Sequence, residues 1–203
     1  MKNLLAKFLL LLALYVPLEA CSGDAWLEAR AAYIHPTGGR FNKIYNDSGS
    51  YGGKLTVSVW DDLQGWLSVD GYSLKGKSIG LGTGTDLDCV PLGLGLQYMF
   101  PCWPLCNTDL YVGAGVDCSF FSIHDNGPYV IEKINHTAWG ARFLGGAIIN
   151  CSESFFFDVF VEYTLSRIDY NHGFVDGVYT NSADVSHVNA GVGVGYKFNH
   201  GCW

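Results

Sequence analysis

Three groups of residues in this chain are of a type to do chemistry: seven cysteines, a scatter of histidines, and charged residues set singly within apolar runs. The spacing "CWPLC" lets Cys102 and Cys106 close a small loop, and in an oxidising compartment a disulfide is the expectation for that pair. The other pairings are not readable from spacing. An odd count leaves at least one thiol free, lipid-modified or joined to another chain. Cys151 and Cys202 are open to pairing, including with a neighbouring protein, whereas Cys89 and Cys118 read as small packing residues. A zinc site built from Cys102, Cys106 and His200 is the competing reading, which an oxidising compartment disfavours. No cofactor is expected.

His35, His124, His136, His172 and His187 fall in or near segments rich in Gly, Asn, Asp and Ser. "DVSHVN" offers Asp184, Ser186 and His187, the residue types of a hydroxyl nucleophile with its base. On a strand, however, Ser186 and His187 point to opposite faces, so a direct pair is not expected. "GLGTGT", Gly80 to Thr85, lacks the lysine and following helix of a phosphate-cradling loop and reads as a flexible connection.

The elements that must position these groups follow from the ends and the composition. "MKNLLAKFLLLLALYVPLEA" has two lysines, an apolar run and a small residue at Ala20, the pattern of a secretory signal peptide over 1–20. "LEAC" leaves two readings open, plain cleavage near Ala20 or lipidation of Cys21. The remaining domain, 21–203, has no second stretch able to span a membrane as a helix. The formal net charge is −7 and there is no basic stripe, which argues against a nucleic-acid partner. The 26 glycines are dispersed without a triplet period, and with plentiful aromatics they point to an all-β chain.

Alternation predicts eight strands near 25–35, 50–60, 65–75, 86–100, 108–122, 136–150, 154–169 and 185–198. Their connections alternate between short or moderate ("DDLQ", "PCWPLCN", "CSES") and long (36–49, 76–85, 123–135, 170–184), as in membrane β-barrels. One face of each strand is apolar. In "LYVGAGVDCSFF" the other face is Tyr111, Gly113, Gly115, Asp117 and Ser119. Such a face is too poor in Lys, Glu and Thr to meet bulk water and suits the narrow inside of a small barrel. The charges assigned inward are Glu28, Arg30, Lys54, Asp70, Asp117, Arg142, Asp158, Glu162 and Lys197, five acids and four bases that can pair away from lipid. Two aromatic girdles are expected. Trp26, Trp60, Trp66, Tyr98, Phe100, Trp103 and Phe198 lie near the short turns, and Tyr33, Tyr51, Tyr72, Phe120, Trp139 and Tyr163 near the long loops.

"NAGVGVGYKF" carries apolar residues at alternate positions, Ala190, Val192, Val194 and Tyr196, before the aromatic Phe198. It resembles the carboxy-terminal insertion signal of bacterial outer-membrane proteins. With "VPLGLGLQYMF" and "LYVGAGVDCSFF", the whole mature chain resembles the small eight-stranded outer-membrane β-barrel family (OmpA/OmpX/OmpW-like). The resemblance implies an eight-stranded antiparallel up-and-down transmembrane barrel in the bacterial outer membrane, with both termini periplasmic. It also implies outer-membrane lipid and the barrel-assembly machinery as partners. "NHGCW" departs from the pattern by following Phe198, so Phe198 is read as the functional end and the rest as a short periplasmic tail. The function expected is a non-enzymatic structural or surface-contact protein, with an extracellular ligand for its loops and disulfide-linked envelope neighbours as partners. The alternatives are a narrow conduit for small or apolar molecules, with a gap behind inward Gly93, Gly95, Gly113 and Gly115, and a lipid-modifying enzyme.

Overall fold

The computed structural model describes residues 25–39, 41–77, 84–101, 107–125, 133–169, 174–175, 178–179 and 182–198. Eight long strands dominate: β1 (Ala25–Pro36), β2 (Ser48–Trp60), β3 (Leu63–Lys77), β4 (Gly84–Pro101), β5 (Thr108–Asp125), β6 (Lys133–Asn150), β7 (Phe155–Asp169) and β8 (His187–Phe198). Each pairs antiparallel with its neighbours in sequence, and β1 pairs with β8, which closes the barrel. The fold class expected from alternation is the one observed, with strand ends within a few residues of those read from the sequence. Strands of 12 to 18 residues exceed the roughly 9–11 needed to cross a bilayer, so they continue beyond the hydrocarbon layer. Among the described residues no helix is long and apolar enough to cross a membrane.

The ends of the barrel differ. At one end β2 and β3 are joined by Asp61 and Asp62, with Asp61 at φ 42°, a left-handed conformation that aspartate tolerates better than most residues. At the same end Cys151–Ser154 turns β6 into β7. There the Ser152 hydroxyl oxygen accepts from the backbone N–H of Phe155 at 3.0 Å. At the other end the first connection folds a one-turn helix, α1 (Phe41–Ile44), back over the barrel mouth. Thr37 and Gly38 donate backbone hydrogen bonds to the Ser186 carbonyl, at 2.8 and 3.1 Å, which ties this connection to the start of β8. Short segments at Phe174–Val175, Val178–Tyr179 and Ser182–Asp184 add strand pairings within the last long connection.

The two faces of the wall are opposite in character. Leu94, Val112, Val116, Phe143, Phe157, Val159, Val161 and Val194 are exposed on the outside, while the buried side chains of the same strands point into the barrel. A water-facing protein rarely leaves so continuous an apolar surface bare, and a lipid environment removes the cost.

Candidate functional site

The interior is layered along the barrel axis. Toward the long-loop end, Ile34, Tyr72, Leu74, Leu87, Phe121 and Ile168 pack with Phe41 and Tyr45 of the first connection into an apolar plug. Toward the short-turn end, Trp26, Trp66, Met99, Tyr111, Ile148 and Phe156 form a second plug. Between them lies a charged layer.

Arg142 on β6 is the hub of that layer. Its Nη1 donates to Ser68 Oγ at 2.8 Å and to Asp70 Oδ2 at 2.9 Å and stands 3.6 Å from Glu162 Oε2, while its Nη2 donates to Asp117. Glu162 continues the web, since its Oε1 accepts from Arg30 Nη2 at 2.6 Å. Arg30 Nε lies 3.4 Å from Glu28, and its guanidinium stacks 3.7 Å above the Phe160 ring. Lys54 Nζ sits 3.5 Å from Glu28 and 3.7 Å from Asp158, over the Tyr111 ring. Three bases thus face five carboxylates, and the Tyr111 hydroxyl donates to Asp158 at 2.7 Å and the Ser119 hydroxyl to Asp117 at 2.6 Å. Eight of the nine charges assigned inward are buried and joined in one web. Lys197 is apart from it. Near the short-turn end its Nζ donates to Asn150 at 2.7 Å and lies over the Trp26 ring.

The web draws its side chains from every strand except β4 and β8, and at its level those two strands present glycine, Gly93 beside Ser68 and Arg142 and Gly193 beside Glu28. A Cβ at Gly193 would run into the carboxylate of Glu28, and one at Gly195 into the Phe156 ring. The bare face of β8 is therefore the space that its neighbours' large side chains occupy. Gly93, Gly95 and Gly115 do the same for Trp66, whose ring atoms lie 2.7–2.8 Å from where their Cβ atoms would be. The gap expected behind Gly93, Gly95, Gly113 and Gly115 is filled, by Trp66 and, at Gly113, by Gln97. The recess beside Arg30, Asp70, Phe160, Glu162 and Asn189 is too narrow for a water molecule.

Other expectations need correction or placing. Trp26, Trp66 and Tyr72 are buried inside, not in the girdles, because each shares its strand face with interior polar residues, as Trp66 does with Ser68 and Asp70. Trp60, Tyr98, Phe100 and Phe198 near the short turns, and Tyr33, Tyr51, Phe120, Trp139 and Tyr163 near the long loops, do face outward. Trp103 lies outside the described residues, as do Cys21, Cys102, Cys106, Cys202, His172 and His200. Cys89 is buried inside, Cys118 lies on the outer face and Cys151 is exposed in the β6–β7 turn; these three are free thiols.

Ser186 and His187 are not brought together as nucleophile and base. The Ser186 hydroxyl donates to Asp184 at 2.5 Å, whereas the His187 ring turns inward against Tyr72 with Nδ1 3.2 Å from the Val185 carbonyl. Sequence reasoning missed the α1 plug and a cluster on the outer rim in which Asp47 accepts from the Tyr33 hydroxyl and lies 2.6 Å from His35 Nδ1. These hydrogen bonds, that from Tyr33 first, hold the Asp47 carboxyl below the usual carboxylate range.

Positions 190, 192, 194, 196 and 198 of the assembly signal all lie on the outer face of β8. There the Tyr196 ring meets Phe155 and Phe198 edge-on, at centroid distances of 5.1 and 5.0 Å.

No protein-family model matches the chain, and no curated protein matches it in sequence. Solved structures do match. Neisserial surface protein A (NspA) is 18% identical over 87% of this chain and 99% of its own, with a TM-score of 0.61. The outer membrane protein OprG from Pseudomonas aeruginosa is 18% identical over 87% and 96%, with a TM-score of 0.56. Ail, the attachment invasion locus protein of Yersinia pestis, is 13% identical over 87% and 99%, with a TM-score of 0.52. With its apolar outside, polar and packed inside, and closed ring of eight antiparallel strands, the chain has the fold of the small outer-membrane β-barrels.

Proposed function

We propose that this chain is an integral barrel of a bacterial outer membrane, with its short turns and both termini in the periplasm. Its role is structural and surface-contacting, carried by the four long external connections, and not enzymatic. The observation that carries this reading is the contrast between the two sides of one wall. The outside is an apolar belt suited to lipid, and the inside is a charged web sealed above and below by apolar plugs. A wall built this way supplies anchorage and a rigid mount for loops, and an eight-stranded interior filled by side chains offers no diffusion path. Outer-membrane lipid and the barrel-assembly machinery are the partners this reading requires, and a ligand of the loops is the partner it predicts.

The test is fractionation of cells with gel migration before and after heating. The expected result is outer-membrane recovery and a heat-dependent shift, whereas recovery in a soluble fraction without a shift overturns it. Reconstituted in planar bilayers, the barrel should show no steady conductance. Purified in lipid, it should leave lipid mass unchanged; altered lipid mass in the presence of folded barrel would favour the enzyme.

A further inference from the structure

Where β1 ends and the chain returns toward β2, three side chains meet on the outer rim of the barrel. Tyr33 lies opposite Gly49 and Ile34 opposite Ser48. The next facing positions, 35 and 47, hold a histidine and an aspartate. His35 Nδ1 stands 2.6 Å from Asp47 Oδ1, and the Tyr33 hydroxyl donates to the other carboxylate oxygen, Oδ2. Tyr33 and His35 are two apart on one strand and so share its outer face. Gly49 contributes no side chain, and the Tyr33 ring reaches past it to Asp47. We propose that Tyr33 Oη, His35 Nδ1 and Asp47 Oδ1 together bind one divalent transition-metal ion of the Cu2+ or Zn2+ class, with water completing its coordination.

Among the described residues no three of His, Cys, Asp and Glu gather to hold a metal ion. At this rim the third donor is a phenol. An imidazole with two oxygen donors suits Cu2+ and Zn2+, whereas thiolates select softer ions. Ca2+ and Mg2+ prefer all-oxygen sets, which the imidazole spoils. Three protein donors and water make an open site of the usual count. Donors about 2.1 Å from one ion, at tetrahedral or octahedral angles, stand roughly 3.0–3.4 Å apart. His35 and Asp47 are closer than that and must part by a few tenths of an ångström. Their side chains are 48% and 37% exposed, which gives them room to turn and leaves the outward coordination positions to water.

Binding is a ligand exchange in which nothing is oxidised. The ion takes the lone pairs that the two hydrogen bonds now use. The imidazole moves its proton from Nδ1 to Nε2, and the phenol gives one proton to solvent. An ion held this way joins β1 to Asp47 across the base of the first external connection, the one whose Phe41 and Tyr45 enter the apolar plug. Because the three donors come together only in the folded barrel, loading stabilises it by mass action.

The test uses the full chain refolded in detergent, its accessible thiols then alkylated, so its outcome is independent of where the protein resides in cells. Calorimetric titration with Zn2+ alone should show one equivalent bound and a higher temperature for the heat-dependent gel shift. His35→Ala and Asp47→Asn, each checked for heat-modifiable migration, should weaken binding at least about tenfold and abolish the rise. Loaded instead with one equivalent of Cu2+, the wild-type barrel should give an electron paramagnetic resonance spectrum coupled to a single imidazole nitrogen. It should also show a visible phenolate-to-copper charge-transfer band that Tyr33→Phe removes. No stoichiometric uptake of Zn2+, or uptake undiminished in both variants, overturns the proposal. So does a copper spectrum with no nitrogen coupling or with more than one nitrogen, which reads on the wild-type barrel whether or not the variants fold. A charge-transfer band that survives Tyr33→Phe, or no such band at all, overturns the three-donor site by removing the phenol from it.

Discussion

Arg142 reaches three carboxylates on three different strands, Asp70, Asp117 and Glu162, and is fully buried. Removing one member of a buried ionic web strands its partners without solvent, at a cost of about 3–5 kcal/mol. Arg142→Met is expected to lower stability by about that amount, read from urea unfolding of the barrel in detergent micelles or lipid. The same substitution at Lys197, half-buried and apart from the web, should cost distinctly less. On the outer rim, Asp47 accepts from Tyr33 and His35, so its carboxyl titrates below the usual range. A depressed carboxyl contributes order that is complete above its unfolded pKa and lost as pH falls through its folded value. The prediction is that Tyr33→Phe moves the Asp47 titration upward toward the ordinary range, as followed by carboxyl NMR shifts. No change would separate the Tyr33 contact from the cause.

At the scale of one element, β8 carries two unlike faces. Gly195→Val adds atoms where the Phe156 ring already lies, and forced overpacking costs about 1–3 kcal/mol. Ala190→Val adds them on the exposed side and should change stability by less than about 0.5 kcal/mol. Equal effects in unfolding titrations would show that the strand faces are misassigned. Phe198 closes the Tyr196–Phe155 aromatic cluster on that outer side. Phe198→Ala is expected to reduce the yield of heat-modifiable barrel more than truncation after Asn199 does, and the reverse would move the assembly signal to Trp203. The strands themselves were legible because period-2 alternation of apolar residues over a dozen positions has few other readings. The β8 glycines were legible as an inward face for the same reason. Less readable was what fills the room they leave. Trp66 reads as an interface aromatic until its parity with Ser68 and Asp70 is counted, and the plug made by Phe41 and Tyr45 comes from a connection with no periodicity at all.

For the whole molecule, Trp66 stands where an open barrel would keep its passage, in the glycine socket of Gly93, Gly95 and Gly115. Trp66→Ala should cost about 3–5 kcal/mol and leave a cavity in the plug at the short-turn end. If the plug at the long-loop end alone seals the barrel, bilayer recordings of this variant stay silent; steady current from it would identify Trp66 as the principal block. The closed ring has one more consequence, which lies in the order of its assembly. Seven seams join segments that a hairpin already holds together, but β1 meets β8 only after nearly the whole chain has been placed, the contact with the largest loop-closure entropy. Until that moment the sheet has two free edges, each a template of unpaired amides and carbonyls. Afterwards it has none. Any delay at this one seam therefore decides between a solitary ring and two half-closed copies that complete each other edge to edge.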